Sequence, residues 1–399
     1  MCAYPAVEAT AEINRRLLGY HRDHGFRIYD SFPLVSDDPT LIFTNATITP
    51  FKHLFLEESP PHDYALVQQC LRVGGGAGNP DIARTKENYS SVFEMFGSGC
   101  FGRTHSEATR YLIDMLVHVG ISTGNIRVIV PEGSPFYGAV TSCGINPNQV
   151  YPISANGHYW RSWKFGRHGL LGSGITVVHV RPGTHVESAE DLASQPETCV
   201  EIGNLIHVFG KDNNGDVGPI PNQGFEIGMG SLRLAIIMEG KPLWELASFH
   251  EIFAATKTAL ESYSNQQLDR GFVRLIADRI RTISVLVLNG VRPGNKREGF
   301  VLRKMIRSCC ELVWIDLQEA CLMADIVRAF CNVFAPEHLT QIVETVTNEE
   351  QRFRAALQRG IRVFESGACT NPAKLMDTYG LRQQLIPVLS KSAPQRSFK

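Results

Sequence analysis

The chain is predicted to be α+β: an antiparallel sheet flanked by helices, followed by an all-helical region. Three observations carry this. Short β-branched or alternating apolar runs recur up to residue 230. After Pro242 they stop, and helical periodicity takes over as far as Phe364. Between the two lies Phe225-Glu226-Ile227-Gly228-Met229-Gly230-Ser231-Leu232-Arg233-Leu234, which reads as a strand end that passes two glycines and enters a helix. The expected boundaries are 1–242 for the sheet domain, 243–389 for the helical domain and 390–399 for a loose tail.

That central stretch is the densest in chemistry. Leu232, Ala235, Ile236 and Met238 would form the buried stripe of the helix. Gly228 and Gly230 leave the backbone bare for a ligand. Arg233 falls in the first helical turn, where a guanidinium fork and a helix N-terminus both favour phosphate. An isolated Gly-x-Gly also reads as a simple turn beside a solvated arginine.

Composition excludes little. With 399 residues the chain has room for two or three domains, and a net charge of −1 provides no global field for a polyanion. Locally the charge is uneven. Arg270, Arg274, Arg279, Arg281, Arg292, Lys296, Arg297, Arg303, Lys304 and Arg307 face only Asp278 and Glu298 over the same span. Such a run suits nucleic acid or forms a solvated helical face. The 10 cysteines include no Cys-x-x-Cys pair and are read as reduced and mostly buried, hence an intracellular, cytoplasmic protein without a zinc site. No signal peptide or membrane-spanning run is read.

In chain order, 11–25 reads as a helix and Leu41–Thr44 as a short strand. Gln68–Val73 and Ser91–Gly97 form a hairpin around Gly74–Pro80, a glycine-rich tip without the Gly-Lys-Ser/Thr ending of a P-loop. This hairpin sets Arg72 opposite Phe93 and Met95. A cation beside an aromatic platform can hold a phosphate and an adenine ring together, although a core hairpin with one surface arginine fits equally. Ile126–Val130, Ile175–Val180 and Val200–Phe209 read as strands. The segments 131–148, 182–196 and 211–216 read as loop, polar insertion and turn, and Tyr159, Trp160 and Trp163 crowd another loop. Helices are expected at 253–263, 267–288, 300–315, 317–334, 338–346 and 349–364, the last capped by Asn348 with Gln351.

Together these segments resemble the alanyl-tRNA synthetases, over about residues 10–385. Asp37-Asp38-Pro39-Thr40-Leu41-Ile42-Phe43-Thr44-Asn45-Ala46 resembles their first signature. Cys70–Gly75 with Phe93–Gly97 resembles class II motif 2, and Gly228-Met229-Gly230 with Arg233 resembles motif 3. Ile276–Arg281, Gly299–Lys304 and Asp377–Gly380 are similar to the family's tRNA-recognition region. The resemblance implies a class II catalytic domain followed by a tRNA-recognition domain. It implies ATP and Mg²⁺, adenylation of alanine or a similar small amino acid, and transfer to tRNA or to a specialised small-molecule acceptor. By resemblance, Arg72 contacts the α-phosphate, Arg233 the far phosphates, and Phe93 stacks on adenine, with Met95 and Gly230 beside them. Trp160, Asn204, Ile206 and Gly228 line the amino-acid pocket, and Glu226 holds the ammonium. Asn295 and Asp377 read the acceptor-stem wobble pair, with Arg303 nearby.

The departures matter as much. Asn88-Tyr89-Ser90 stands for the family's Arg-His-His, Gly76-Ala77 for its Lys-His, and 166–174 for its Gly-Pro-Cys segment. Gly203 replaces a tryptophan and is expected to alter the pocket. Glu226 replaces an aspartate, which shifts the ammonium anchor by about 1.5 Å. The chain is also expected to be a truncated paralogue without the editing and C-terminal domains. A catalytically inactive tRNA-binding or regulatory protein is the alternative reading.

Overall fold

The computed structural model describes residues 8–38, 41–73, 82–154, 163–165, 169–213, 216–264, 267–318 and 320–391. The chain begins with α1 (Glu8–Asp23), β1 (Arg27–Tyr29), α2 (Lys52–Leu56), β2 (Tyr64–Leu71), α3 (Ile82–Thr85) and β3 (Val92–Phe101). It continues through α4 (His105–His118), β4 (Ile126–Pro131), α5 (Phe136–Ser142), β5 (Val150–Ile153), β6 (Trp163–Phe165) and β7 (Leu170–Val180). Then come α6 (Ala189–Ser194), β8 (Cys199–Asn213), β9 (Asp216–Gly230) and α7 (Ser231–Glu239). The remainder is helical: α8 (Ala247–Glu261), α9 (Arg270–Leu288), α10 (Arg297–Leu317), α11 (Met323–Phe334), α12 (Leu339–Glu365), α13 (Pro372–Tyr379) and α14 (Ile386–Lys391). Two units result: Ala6–Arg72 with Glu87–Leu246, and Val73–Lys86 with the chain from Ala247 onward.

The first unit is built on one sheet, ordered β1-β2-β3-β9-β8-β7-β4-β5, with β6 paired to β7. Its centre is antiparallel, and only the edge pairs β1–β2 and β4–β5 are parallel. The long strands β8 and β9 pair from Gly203↔Met229 to Asn213↔Asp216, which aligns the end of β9 with the middle of β3. One face carries α1 and α7. Glu94 on β3 accepts from Thr10 Oγ1 and Asn14 Nδ2 of α1 at 2.8 and 2.9 Å. Asn14 Oδ1 in turn accepts from Ser231 Oγ, the first residue of α7, at 2.6 Å. This chain of bonds pins the start of α7 against the sheet. On the opposite face, Ile48, Phe51, Leu54 and Phe55 pack over Tyr64, Leu66, Ile206 and Val208.

The second unit holds α3 and α8–α14. Within it α9 is buried along almost its whole length, including Arg274, Asp278, Arg279 and Arg281. Arg281 lies 5.0 Å over the Phe249 ring, Arg279 donates to Ser308 Oγ at 2.8 Å, and Arg274 donates to the Arg84 carbonyl at 3.0 Å. The basic run read from sequence is therefore divided. These three arginines belong to the core, where burial demands such partners, while Arg292, Lys296, Arg297 and Lys304 are exposed. Among the described residues no helix is long and apolar enough to cross a membrane, and the nine cysteines are free of disulfides.

Several expected elements differ. Leu41–Thr44 is not a strand but one bridge, Val35↔Phe43. The loop at 131–148 contains α5, because Phe136, Ala139 and Val140 are buried at helical spacing between turns at Gly133 and Gly144. The insertion at 182–196 contains α6 behind a Ser188 capping box, and Trp163 stands in β6. At 211–216 the strands continue to Asn213 and resume at Asp216. Met238, expected in the buried stripe of α7, is 45% exposed. Two helices expected around Asn348 are one, α12. There Glu349 and Glu350 are buried beside Arg307 and Arg354, so packing carries the helix through a residue that would otherwise cap it. The Gly74–Pro80 tip, Trp160, Gly76-Ala77, residues 166–168 and the tail from 392 lie outside the described residues.

His21 of α1 is fully buried, with Nδ1 at 2.9 Å from the Leu17 carbonyl and Nε2 at 3.0 Å from Ser98 Oγ. Burial pushes the ring down to about 4. The folded ring thus stays neutral where the unfolded one takes a proton, and stability is lost as pH falls from 6.5 towards about 4. Thermal melts should show this loss in the wild type and a shallower one in His21→Leu.

Candidate functional site

The site is one face of the sheet, and strand registry decides its members. Gly228 pairs with Asn204 on β8 and Gly97 on β3; Glu226 pairs with Ile206 and Gly99; Gly230 pairs with Met95. Across β3, Met95 pairs with Gln68 and Phe93 with Cys70. Directly opposed residues share a face. Phe93, Met95, Asn204, Ile206, Glu226, Gly228 and Gly230 therefore look out on one floor, and Arg72 follows β2 at its end.

At one end of this floor are two guanidinium groups. Arg72 lies over the Phe93 ring at 5.0 Å and reaches the Asn45 carbonyl at 3.4 Å. Burial and the nearby Arg233 charge hold it below its usual value, while Cys70 and Glu201 oppose them. Arg233, in the first turn of α7, pairs with Glu201 Oε1 at 2.9 Å. Asn204 Nδ2 donates to the same Oε1 at 3.2 Å, and Thr176 Oγ1 donates to Asn204 Oδ1 at 2.6 Å. Burial raises the Glu201 carboxyl, but Arg233, Asn204 and Arg72 together hold it below the usual carboxylate range. The Gly228 backbone is bare: a Cβ there would meet only Met95 Sδ, at 3.7 Å.

The other end is closed around Glu226, which is 3% exposed. Thr47 Oγ1 donates to Oε1 at 2.8 Å and Tyr64 Oη to Oε2 at 2.5 Å. Both side chains occupy space that β3 leaves free. A Cβ on Gly97 would come within 2.1 Å of Thr47 Oγ1, and one on Gly99 within 2.2 Å of Tyr64 Cε1. Phe51 stacks on the other side of Tyr64, with ring centroids 3.8 Å apart. Burial pushes the Glu226 carboxyl up to about 8, against the pull of the two hydroxyls.

Three of these residues were missed in the sequence. Glu201 had a signal: with Asn204, it interrupts an otherwise apolar strand. Tyr64 had an indirect one, because Gly97-x-Gly99 inside a strand marks the close approach of something large. Thr47 had none. Asn88 Oδ1 accepts from the Leu243 amide at 3.0 Å. Gly203, expected to alter the pocket, lies one residue before Asn204 on β8. Gly203 pairs with Met229 and Val177, on the face turned away from Asn204, where a Cβ would lie 2.4 Å from Met229 Cγ.

In the helical unit, Arg303 Nη1 donates to Asn295 Oδ1, so these two are brought together. Arg303 and Arg307 also converge on Glu349 Oε1, at 3.6 and 2.7 Å. A cleft of about 600 Å³ adjoins them, lined by Arg292, Gln341, Glu344, Asn348, Glu349 and Arg352 among others. Asp377 is exposed on α13, and among the described residues no hydrogen bond or ion pair joins it to Asn295 or Arg303. Among the described residues no group of three His, Cys, Asp or Glu is placed to hold a metal ion.

A family model described as tRNA synthetases class II (A) matches residues 12–393. An alanine--tRNA ligase of Nitrosococcus oceani is 28% identical over 381 residues, covering 90% of this chain and 42% of the relative. That of Acidithiobacillus ferridurans is 28% identical over 420 residues, covering 95% and 46%. The chain thus spans less than half the length of these curated relatives. Among solved structures, an asparaginyl-tRNA synthetase of Entamoeba histolytica aligns with a TM-score of 0.38 at 9% identity, over 61% of this chain and 66% of that one.

The close approach at Gly99 is directly testable. Gly99→Ala should destabilise the fold by about 1–3 kcal/mol in denaturant melts, as overpacking does. Most of that cost should disappear in a Tyr64→Ala background, where the methyl group has room.

Proposed function

We propose, from the premise that the chain belongs to the class II (A) tRNA synthetases, that it activates alanine or a similar small amino acid with ATP. It then passes the aminoacyl group to tRNA or to a specialised small-molecule acceptor. One observation carries this reading: Arg72 over Phe93, and Arg233 joined to Asn204 through Glu201, stand at one end of a bare glycine floor, and Glu226 stands at the other. The arrangement suits a ligand with phosphates at one end and a small amine at the other.

In this reading the amino-acid carboxylate attacks the α-phosphate, the bond to the β-phosphate breaks, and pyrophosphate leaves. Arg72 sits where charge builds on the α-phosphate, and Phe93 beside it stacks the adenine. Arg233 binds the far phosphates together with the N-terminus of α7. Gly228 and Gly230 let the ligand approach the backbone, Met95 flanks it, and Asn204 and Ile206 bound the amino acid. Mg²⁺ fits the same end. Glu201 offers a carboxylate whose contacts with Arg233 and Asn204 both fall on Oε1, and one such oxygen with phosphate oxygens and water suits this cation. When bound, Mg²⁺ neutralises phosphate charge. Residues 1–242 would then act as the catalytic domain. The helical region 243–389 would receive tRNA through Asn295, Arg303 and Asp377, aided by exposed Lys296 and Lys304.

ATP–pyrophosphate exchange with small amino acids tests the reading, and exchange with none of them, together with no ATP-induced thermal shift, would sink it. Arg72→Ala and Arg233→Ala should each lower exchange by about 10²–10³-fold. Arg72→Lys should rescue little, because a lysine lacks the planar fork. Binding of tRNA should weaken as salt rises, and Lys304→Ala should flatten that dependence.

A further inference from the structure

Among the described residues Glu226 is enclosed by neutral groups. From the segment before α2 comes Thr47, and from β2 comes Tyr64, each donating to one carboxyl oxygen. On β8 its paired neighbour is Ile206, and on β3 it is Gly99. Among the described residues the titratable groups that act on it are Tyr64 and Cys100. Burial pushes the phenol well above its usual value and the thiol up to about 12, so both are uncharged at neutral pH. Among the described residues no lysine, arginine or histidine forms an ion pair with Glu226. A carboxylate so placed lacks a countercharge, and its neutral form is favoured. The cut-outs at Gly97 and Gly99 make this a built arrangement, since neither Thr47 nor Tyr64 could reach the carboxyl past a side chain on β3.

We infer that enclosure without a cation among the described residues holds Glu226 as a neutral acid in the free protein, with Thr47 and Tyr64 as positioning residues that orient its two oxygens, so that an amine substrate binds with release of a proton. This rests on the amino-acid-activating reading above. The exchange balances simply. The O–H bond of Glu226 breaks and its proton goes to solvent. The ammonium keeps its charge and becomes the countercharge that the carboxylate lacked. Below the ionisation of the free acid, at about 8, affinity for the amine should rise about tenfold per pH unit, and above it the dependence should level off.

Infrared difference spectroscopy reads the acid directly. The wild type at neutral pH should show the carbonyl band of a buried carboxylic acid, absent in Glu226→Gln and lost as pH rises through about 8. Alanine, glycine or methylammonium at neutral pH should abolish the band and release a proton to an indicator dye. Tyr64→Phe removes a donor to the anion, so the midpoint should move to higher pH. Thr47→Val should do the same, which serves if the tyrosine variant folds poorly. A purely structural role for these residues would lower stability and leave the midpoint in place.

The inference is overturned by a Glu226 already ionised at neutral pH, by a band that none of the three amines disturbs, or by midpoints that neither variant moves. A band that responds to amines while pyrophosphate exchange stays silent supports the coupling and sinks only the adenylation reading. Exchange whose KM for the amino acid is flat from about pH 6 to about pH 8 does the reverse.

Discussion

The first unit depends on a close approach: Thr47 and Tyr64 lie against β3 where it has no side chains. Glycine weakens a strand interior, because it contributes no packing and loses the most backbone freedom. Here β3 is held from both sides, in unbroken register with β2 and with the end of β9. That pairing keeps the Gly97–Gly99 segment extended. The stacked Phe51 and the apolar layer around it then press Tyr64 into the gap. What results is a carboxyl group enclosed by hydroxyls within an apolar cluster, at the end of a floor whose Gly228 backbone is bare.

The charge on this floor is graded. At the Arg72 end, two like charges act on one another and are balanced by Glu201, in a region that is only half buried. There solvent screens the repulsion, and an anionic ligand would relieve it further. At the Glu226 end no charged group among the described residues balances the acid, and neutralisation by a proton is the cheaper state. One ligand that is anionic at one end and cationic at the other would satisfy both. The separation between the two ends is maintained by backbone pairing rather than by long side chains, so it is stiff.

The helical unit treats charge in another way. Arg274, Arg279 and Arg281 are drawn into the core along α9, where they meet a carbonyl, a hydroxyl and an aromatic face. Glu349 is equally buried but recruits Arg307 and Arg303, and so fixes the side chain that bonds Asn295. The cations left exposed are then concentrated around the start of α10.

Local pattern in the chain was enough to determine the fold class, the strand–glycine–helix passage at 225–234, and the facing of Arg72 with Phe93. Each depends on residues near in sequence, where periods of 2 and 3.6 and the placement of glycine carry the information. It was also enough for the family resemblance. Only the tertiary structure decided which side chains converge. Thr47 and Tyr64 reach Glu226 across sequence separations of 179 and 162 residues, and no local period encodes such a meeting. The same holds for Glu201 beside Arg233, for the face on which Gly203 lies, for the burial of three arginines that read as surface, and for the continuity of α12 through Asn348. A pattern fixes the face on which a residue stands. The strand register and the packing of distant segments fix what it meets there, and these are set by the whole chain at once.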